Sequence, residues 1–576
     1  MKNLIGSLII LIAFLFLQKC ANPGVVSGGP KDTIPPTLIY SYPVDQTLNF
    51  DDQTIILEFD ERISAEKIKQ NLIISPTTKT KFKHFIKKNK ITIEFEEPFQ
   101  DTTTYTFNFF DAITDITEKN PPINLVIAFS TGDFIDSLRV YGNVRELFTN
   151  KTVNKATVAL YAKTDTMNIF EDTPNYFTTT DKYGVFKINN IKYGLYKLIV
   201  FNDENRNLNF DESDELYGFK EGTFNPGNIG DSLKINTYQI DASYLEVNAA
   251  RTTGRYYEVR YSKPITNYEI LHTDSILTIN SNLTDDKETV RFYNPFNGFP
   301  KDSIQVVIKA IDSLKNTSVD TTYIAFQEST RKKSNFNNNS TPASGTNLSL
   351  GRSITLTFSK PVKTWDLTNF KISYDSIHSF FLDSIKIIWN HNYTKATFPS
   401  LLNQKQIVDS LTLWKSLIVI DSLNPDTLSI LKKTLLDKYD INSVNLVIEP
   451  NSFLSIEDDS SAVIDLKYKF PKTEDLGTMK VNVQSDSIEY FVQLILSTKS
   501  ELIQQQHNCN PCYFKNINPG KYTIKVLIDS NKDGIWSIGN IRTDTPPEPI
   551  IHYKEETEIR SNFDMTMDIS IPNVDM

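Results

Sequence analysis

An alternation of apolar and polar residues with a period of two runs through most of this 576-residue chain. It is clear in QTIILEFDE, KITIEFEE, SIQVVIKAI and SITLTFSKPV, which are rich in Ile, Val, Thr and Phe. Successive side chains of a β-strand point to opposite faces, so this period builds a sheet with one buried and one solvated face. Because the runs are short and end at Gly, Pro, Asn or Asp, the sequence predicts an all-β chain of β-sandwiches.

Length and charge limit the number of domains and the kinds of partner. A single hydrophobic core stops growing well below 576 residues, so several domains are expected. The formal net charge is −10 and the pI is about 5.3. This balance lacks the basic footprint of a nucleic-acid-binding protein, and we expect no nucleic-acid partner.

One segment departs from the β pattern. In NPDTLSILKKTLLDKY, Asn424 can cap a helix and Pro425 suits the first helical position. One face of that helix would carry Leu428, Leu431, Leu435 and Tyr439. The spacing predicts one small helical insertion near residues 403–440 of a β-domain.

The N-terminal residues have the pattern of an export signal. Lys2 supplies a positive start, and Leu4 to Leu17 is almost wholly apolar. This apolar core of about 14 residues is shorter than the roughly 20 that a membrane-spanning helix needs. We interpret residues 1–19 as a secretory signal peptide and Cys20 as the site of lipidation.

Two neighbouring residues bear on the Cys20 assignment. Leu17, three positions before the cysteine, fits a lipoprotein signal, whereas Lys19 replaces the small residue usual just before it. An ordinary cleaved signal or an uncleaved anchor is the alternative. Cleavage before Cys20 would leave a lipidated N-terminus, and more than one acyl chain makes such an anchor stable.

The first module resembles a known family. From Gly28–Asp32 (GGPKD) through Phe59–Glu61 (FDE), the chain is similar to the Ig-like lipoproteins of Bacteroidota, whose first module is an SbsA-type bacterial Ig-like domain. The resemblance covers residues 20–132, and a weaker second copy that includes LSLGRSITLTFSKPVK covers about 345–470. It implies an outer-membrane lipoprotein without known enzymatic activity, and it names no ligand.

A second pattern follows each Ig-like stretch. DKYGVFKINNIKYGLYKLIVFNDENRN and NPCYFKNINPGKYTIKVLIDSNKDG both contain a Phe, a turn closed by Gly, a Tyr two residues later and a strand. Gly194 to Asp203 and Gly520 to Asp529 have the same spacing. The pattern resembles prealbumin-like or carboxypeptidase-regulatory-like β-sandwiches, which implies two passive extracellular modules.

Together these patterns predict a modular chain, divided by a polar, Asn- and Ser-rich stretch. The expected parts are a signal peptide (1–19), a lipidated N-terminal tether (20–34), an SbsA-type Ig-like domain (35–132), a prealbumin-like β-sandwich (133–245), a further β-sandwich (246–328), a polar linker (329–346), a second Ig-like domain with the helical insertion (347–470) and a second prealbumin-like β-sandwich (471–576).

Oxygen-bearing side chains alternate after the strand in YTIKVLIDSNKDGIWSIGN. Positions 1, 3, 5 and 9 of a calcium loop would be filled by Asp529, Asn531, Asp533 and Ser537. Gly534 falls at the turn position 6, but Asn540 replaces the bidentate Glu of position 12. We expect a Ca²⁺ site that is weaker than a sensor loop.

An earlier copy follows the strand YKLIVF. Positions 1, 3, 5, 7, 9 and 12 would be filled by Asp203, Asn205, Asn207, Asn209, Asp211 and Asp214. Leu208 replaces the turn glycine, so this copy has more charge and a worse turn. The alternative for both copies is a polar turn whose side chains bond only the local backbone.

Besides Cys20, the chain has two cysteines, Cys509 and Cys512, in the sequence CNPC. In an oxidising compartment this pair can close a small disulfide over a turn. Free thiols or a metal site are the alternatives. A catalytic dithiol needs a helix N-terminus that lowers a thiol pKa, whereas CNPC precedes a predicted turn between strands.

The sequence contains little that indicates catalysis. The six histidines are scattered, and no nucleophile elbow, phosphate loop or His-Glu-x-x-His zinc motif occurs. A carboxylate pair of the glycosidase type is an alternative that the sequence leaves open. We expect a non-enzymatic structural, assembly or protein-interaction scaffold, or else a cell-surface binding or adhesion module for glycan or protein.

The residues after Cys20 bear on orientation. Surface export is expected to need an acidic run there, and Ala21–Gly24 contains none. We therefore expect a lipid-anchored outer-membrane protein that faces the periplasm, with an outer-membrane or periplasmic protein as its partner.

Overall fold

The computed structural model describes residues 32–572, apart from 79, 229, 274–278, 297, 299–301, 349–352, 367, 369, 374–378, 382–386, 399–442, 470–472 and 486–487. Nearly all regular structure in these residues is strand, so the predicted all-β fold is confirmed. The described helical elements are short: α1 (Ile68–Asn71) and the 3-10 turns Pro226–Asn228, Thr473–Asp475 and Ile541–Thr543. Cys20 and the predicted helical insertion lie outside the described residues.

The chain divides into two compact units. The first comprises residues up to 145 together with 152–210 and 223–235. The second comprises residues 146–151, 211–222 and those from 236 onward. Among the helices that the structure describes, none has the length and apolar character needed to cross a membrane.

The first Ig-like module is a sandwich around an aromatic core. Its strands are β1 (Leu38–Tyr42), β2 (Thr54–Phe59), β3 (Ile63–Ser64), β4 (Ile73–Ser75), β5 (Phe82–Lys87), β6 (Lys90–Phe95), β7 (Thr104–Asn108), β8 (Thr114–Asp115) and β9 (Val126–Ser130). One sheet has the order β1-β2-β6-β5, a second has β4-β7-β9, and β3 pairs with β8. The period-two pattern of β2 buries Ile55, Leu57 and Phe59 against Phe107 and Phe129.

The next module contains β10 (Leu138–Glu146), β11 (Thr157–Ala162), β12 (Tyr176–Thr179), β13 (Val185–Ile191), β14 (Tyr196–Phe201), β15 (Leu216–Phe219) and β16 (Leu233–Gln239). Strand β11 pairs antiparallel with both β12 and β14, β10 pairs with β13, and β15 pairs with β16. Val158, Leu160, Leu198 and Val200 lie in its core. Every residue of β14 is buried, in keeping with a continuous apolar run.

A third module follows, with β17 (Val247–Thr253), β18 (Tyr256–Tyr261), β19 (Ile265–Thr273), β20 (Ser281–Leu283), β21 (Thr289–Phe292), β22 (Ile304–Asp312) and β23 (Thr317–Ile324). Its sheets have the orders β17-β18-β21-β20 and β19-β22-β23. Alternate residues of β22, from Ile304 to Asp312, are buried throughout. The strand therefore presents one face to the core and the other to the surface.

The second Ig-like module contains β24 (Asn338–Thr341), β25 (Ile354–Phe358), β26 (Val362–Trp365), β27 (Phe370–Ser373), β28 (Ser379–Phe381), β29 (Ile388–Trp389), β30 (Lys395–Phe398), β31 (Ser443–Ile448), β32 (Phe453–Ser455) and β33 (Ile464–Lys469). The orders are β24-β25-β30-β29 and β28-β27-β31-β33, and β26 pairs with β32. The segment 329–346, predicted as a linker, includes β24, which pairs with β25 in this module.

The C-terminal module contains β34 (Gly477–Gln484), β35 (Glu489–Leu496), β36 (Glu501–His507), β37 (Cys512–Ile517), β38 (Gly520–Asp529), β39 (Ile550–His552), β40 (Thr557–Ile559) and β41 (Asp564–Ser570). One sheet has the order β37-β34-β41 and the other β36-β35-β38-β39, with β40 also paired to β38. Strand β34 pairs parallel with β41.

The two Ig-like modules repeat one arrangement. The orders β1-β2-β6-β5 and β24-β25-β30-β29 correspond strand for strand. A parallel bridge joins Thr47 to Phe129 in the first module, and another joins Asn347 to Lys469 in the second. The weak sequence similarity between these stretches is therefore matched by their pairing.

The two Gly-x-Tyr turns also repeat one arrangement. The Tyr196 hydroxyl donates to the backbone carbonyl of Lys192 at 2.9 Å, and the Tyr522 hydroxyl donates to that of Asn518 at 2.7 Å. Both bonds reach four residues back across the turn that precedes β14 or β38. Each tyrosine thereby fixes the start of the strand that leads to an Asp/Asn-rich loop.

Candidate functional site

The loop after β38 is organised around a buried carboxylate. Asp529 is 1 % exposed, and its Oδ1 and Oδ2 accept hydrogen bonds from the backbone N–H groups of Asp533 (3.2 Å) and Gly534 (2.8 Å). The Asn531 side-chain oxygen accepts from the Asp533 N–H at 2.8 Å. The three predicted ligands thus share one turn.

The loop after β14 has the same internal bonds. The Asp203 carboxylate accepts from the backbone N–H groups of Asn207 and Leu208, each at 3.0 Å. The Asn205 oxygen accepts from the Asn207 N–H at 3.0 Å. The offsets of two, four and five residues are those of the loop after β38, so both sequences fold the turn in one way.

The backbone of the two turns agrees as well. Lys532 and Gly534 have φ of 59° and 80°, and Arg206 and Leu208 have φ of 59° and 61°. The left-handed region suits glycine, whereas a leucine there costs roughly 1–2 kcal/mol. Leu208 therefore adopts the conformation of the turn glycine that it replaces, and the Asp203 carboxylate holds its N–H.

Each loop also engages a buried glutamate that the sequence reading missed. The Glu548 carboxylate accepts from the N–H groups of Ser530 (2.8 Å), Asn531 (3.2 Å) and Ser537 (2.7 Å). The Glu215 carboxylate accepts from the Asp211 N–H at 3.0 Å. Ser537 and Asp211 both occupy position 9, so both loops hold this backbone donor with a glutamate.

The residues predicted for position 12 have other partners. The Asn540 side-chain oxygen accepts from the Arg542 N–H at 2.9 Å, and its amide nitrogen donates to the Asn316 oxygen at 2.7 Å. The Asp214 carboxylate accepts from the Ser213 hydroxyl at 3.2 Å. Asn540 acts as the cap of a 3-10 turn in this structure.

Two features bear on whether a cation fits. The side-chain oxygen of Asn209, predicted for position 7, is buried and has no hydrogen-bond partner among the described residues. A carboxylate or amide oxygen has two lone pairs, so an oxygen that accepts one N–H retains capacity for an ion. At the later loop, Lys315 competes with a bound cation, because its Nζ lies 3.4 Å from Asp533 Oδ2.

The electrostatics of the loop after β38 favour the charged carboxylate of Asp533. The N–H of Ile535 donates to Asp533 Oδ1 at 2.8 Å. That bond, reinforced by the Lys315 charge, lowers the pKa of Asp533 below its ordinary value. The carboxylate is therefore ionised at neutral pH, as a calcium ligand must be.

The two cysteines of CNPC are bonded to each other, and one histidine of the same module lies near two carboxylates. Cys509 and Cys512 form a disulfide with a Cα–Cα distance of 4.9 Å, at the start of β37. Glu489, His507 and Asp529 have potential metal-ligand atoms within 4.8 Å of one another. His507 stacks on Phe491 with ring centroids 4.4 Å apart, on the side of the sheet away from the core.

Polar contacts join the third module to the second Ig-like module. The Tyr256 hydroxyl donates to Glu457 Oε2 at 3.0 Å and accepts from the Ser334 N–H at 3.2 Å. The same Glu457 oxygen lies 2.7 Å from Nζ of Lys360, whose side chain is 0 % exposed. The Asn392 amide donates to the Tyr268 hydroxyl at 3.0 Å.

The C-terminal module also contacts preceding segments of its unit. The Arg542 guanidinium lies 3.6 Å from the centre of the Tyr244 ring, donates to the Ala242 carbonyl at 2.6 Å and pairs with Glu212. Asn540 bonds Asn316, as described above. A planar guanidinium suits both a carboxylate and an aromatic face, which explains the choice of arginine.

The solved structures that match this chain are only remotely similar to it. The N-terminal part of the bacterial S-layer protein SbsC is 12 % identical with a TM-score of 0.14, over 51 % of this chain and 45 % of that one. The Bacillus anthracis TIE protein is 10 % identical with a TM-score of 0.11, over 95 % and 76 %. Bacteroides ovatus SGBP-B, solved with a mixed-linkage heptasaccharide, is 9 % identical with a TM-score of 0.14, over 73 % and 94 %.

These similarities carry no functional argument, and the chain spans less than half of the SbsC fragment. Curated proteins gave no significant sequence match. Residues 32–131 match the family Big_5, the bacterial Ig-like domain. The protein therefore contains a bacterial Ig-like domain, over the stretch where the sequence resemblance is strongest.

Proposed function

We propose that the protein is a non-enzymatic lipoprotein of the outer membrane, anchored through Cys20 and facing the periplasm. In this role it is a structural, assembly or protein-interaction scaffold. Its partner is an outer-membrane or periplasmic protein. The Ig-like domain supports the non-enzymatic part of this proposal, because such sandwiches commonly serve as recognition or spacing modules.

The observation that carries the scaffold role is that modules contact one another through specific side chains. Tyr256, Glu457 and Lys360 link the third module to the second Ig-like module. Arg542 and Asn540 link the C-terminal module to Glu212 and Asn316. A freely jointed chain of modules needs no such bonds, whereas a scaffold that holds partners at fixed spacing does.

Calcium has a structural role in this proposal. Ions bound by the loops after β14 and β38 would fix the strand ends from which Asp203 and Asp529 project. The buried oxygen of Asn209 supports the earlier loop, and the ionised Asp533 supports the later one. Calcium would stabilise the folded loops and would take part in no reaction.

The scaffold role is tested by purifying a tagged full chain from native cells in mild detergent. Recovery of an outer-membrane insertion or secretion complex in stoichiometric amount, retained in the wild type and lost with Arg542→Gln/Tyr256→Phe, is the expected result. Recovery of the chain alone from both strains contradicts a scaffold role. A matched variant, Arg560→Gln, removes an exposed guanidinium elsewhere and should retain the complex.

A second function, binding to a glycan or protein at the cell surface, is favoured by a polar groove on the third module. The two functions differ in orientation. Protease added outside intact cells should leave a periplasm-facing protein whole. Digestion under those conditions, with a periplasmic marker intact, would replace the scaffold proposal with the surface-binding one.

A further inference from the structure

A groove of about 330 Å³ lies on the outer face of the sheet β17-β18-β21-β20. Its lining includes Arg251, Arg260 and Arg291 together with Glu258 and Asp286. A second cavity of about 420 Å³ shares Arg251 and Thr253 with the first and extends to Arg331. The two form one extended, polar depression that we call the arginine groove.

Strand alternation explains why these side chains gather there. In β18, Tyr257, Val259 and Tyr261 point into the core, so Glu258 and Arg260 point outward. Antiparallel register sets Arg251 of β17 opposite Glu258, and Arg291 of β21 also opposite Glu258. The outward positions of three neighbouring strands therefore converge on one surface.

Arginine is concentrated at this place. The chain has 12 arginines, and five of them, Arg251, Arg255, Arg260, Arg291 and Arg331, line the arginine groove or contact its edge. In a chain with 60 lysines and arginines, this means that the groove is selectively built from the planar, bidentate cation. A merely solvated sheet face has no need of that choice.

Some of these guanidiniums are held in place and others are open. Arg291 pairs with Glu258 at 2.7 Å and lies 4.6 Å from the centre of the Tyr256 ring. Arg260 pairs with Glu288 at 2.9 Å. Within the described residues, no hydrogen bond or ion pair engages the Arg251 guanidinium, which lines both cavities. The groove therefore offers unused N–H donors beside orientated ones.

The mixture of charges selects among anionic ligands. Duplex DNA carries one charge about every 1.7 Å, and such a density would meet Glu258 and Asp286 as well as the arginines. A sugar chain carries acidic groups at wider intervals, with hydroxyl groups between them. Arginines suit the acidic groups, and the carboxylates and threonine hydroxyls of the groove suit the sugar hydroxyls.

We propose that the arginine groove binds an anionic polysaccharide, with Arg251 and Arg331 contacting its carboxylate or sulfate groups. The site does not depend on lipidation of Cys20 or on calcium. It assigns to the third module a ligand that neither the Ig-like resemblance nor the Asp/Asn-rich loops imply.

The test measures binding of the purified full chain, in detergent, to polygalacturonate, dextran sulfate and neutral dextran at physiological salt. We expect saturable binding to one or both acidic polymers and none to neutral dextran. Preference for polygalacturonate identifies carboxylate groups as the natural chemistry, and preference for dextran sulfate identifies sulfate. Equal binding to neutral dextran, or binding to no polymer, overturns the proposal.

Two double variants distinguish the effect of the arginine groove on binding from the effect of net charge. Arg251→Gln/Arg331→Gln should weaken binding at least about tenfold, since each change removes a charge-assisted hydrogen bond. Arg139→Gln/Arg560→Gln makes the same change in charge at exposed positions outside the groove and should leave binding within about twofold. Equal weakening by both pairs, or a duplex DNA that competes as well as the acidic polymers, contradicts a built saccharide site.

Discussion

Nζ of Lys360 lies 2.7 Å from Oε2 of Glu457, and the lysine side chain is fully shielded from solvent. Asp459 Oδ2 lies 2.5 Å from the same nitrogen, so one buried cation meets two carboxylates. Because the Tyr256 hydroxyl donates to the same Glu457 oxygen, this ion pair of the second Ig-like module also holds the third module. A buried lysine is tolerated only while its carboxylate partners remain beside it, because an unpaired buried charge is strongly destabilising.

Replacing the buried cation should strongly destabilise the second Ig-like module. Lys360→Met leaves Glu457 and Asp459 unpaired, and removing one partner of a buried pair costs about 3–5 kcal/mol. We expect a value near the lower end, because Asp459 is 29 % exposed. Denaturant unfolding followed by tryptophan fluorescence measures this loss, since Trp365 and Trp389 lie in strands β26 and β29 of this module.

Lys363→Met is the matched control. Lys363 pairs with Asp458 at 2.7 Å, but both side chains are more than half exposed. Such a surface pair contributes about 0–1 kcal/mol. Equal losses in the two variants would show that Lys360 does not act as a buried cation.

The contribution of the Lys360 ion pair to stability should also be lost at high pH. Burial alone would lower the pKa of Lys360, but hydrogen bonds to Asp459 and Glu457 outweigh it and raise the pKa above 10.5. A raised lysine pKa contributes stability that is full below 10.5 and is lost as pH rises through the folded-state value. The stability difference between wild type and Lys360→Met should therefore be constant from pH 7 to 9 and shrink only above that range.

We expect the stability of the C-terminal sheet to depend on pH through His552. Nε2 of His552 lies 2.8 Å from the Leu147 carbonyl, which assigns the proton to that nitrogen in the neutral ring. Burial lowers the pKa of His552, and the Lys525 charge lowers it further, although the Leu147 bond opposes both. Its contribution to stability is present above pH 6.5 and is lost as pH falls through the lowered value.

We therefore expect His552→Gln, which keeps an N–H donor, to reduce the loss of stability between pH 7 and 5. Hydrogen exchange of the β39 amides, corrected for the intrinsic rate, is the measurement. His507→Gln, at an exposed ring, is the control. An unchanged acid profile in His552→Gln would place the sensitivity elsewhere.

Calcium should stabilise the folded chain. An ion that binds only the folded state at 100 times its dissociation constant contributes about 2.7 kcal/mol. Residues 21–576 should melt higher in millimolar calcium than in chelator, and Asp529→Ala/Asp533→Ala should remove the part due to the later loop. Magnesium should substitute poorly, because it demands near-octahedral geometry and keeps its waters.

Lys315 sharpens the calcium test. Its ammonium lies 3.4 Å from the Asp533 carboxylate and competes for the same oxygen. Lys315→Met should therefore bind calcium more tightly, whereas Lys532→Met changes an exposed loop lysine and should have a smaller effect. Equal melting of the wild type in calcium and in chelator would remove the metal assignment from both loops.

Local patterns in the sequence predicted much of this fold. The period of two located strands such as Thr54–Phe59 and Ile354–Phe358, because burial on one face of a sheet imposes that spacing. The offsets within Asp529–Gly534 predicted a shared turn, since the hydrogen bonds that the Asp529 carboxylate accepts come from residues four and five positions later. Leu208 was expected to worsen the earlier turn, yet its backbone adopts the same left-handed conformation.

The remaining features depend on contacts between distant residues. Glu548 reaches Ser530 from 18 positions away, and Lys360 meets Asp459 across 99 positions. No periodicity marks either residue, and an isolated lysine in SITLTFSKPV is indistinguishable from a surface lysine. The arginine groove likewise combines outward positions of separate strands, each of which reads alone as a solvated face.

The most direct test of the proposed anchored scaffold is membrane fractionation of native cells that produce the wild type or Cys20→Ser. The wild type should sediment with the outer membrane, resist a high-salt wash and enter the soluble fraction only with detergent, because acyl chains hold it by burial rather than by charge. Cys20→Ser should appear in the soluble fraction without a lipid label. A Cys20→Ser protein that stays with the membrane after the high-salt wash would contradict the lipid anchor on which the proposal depends.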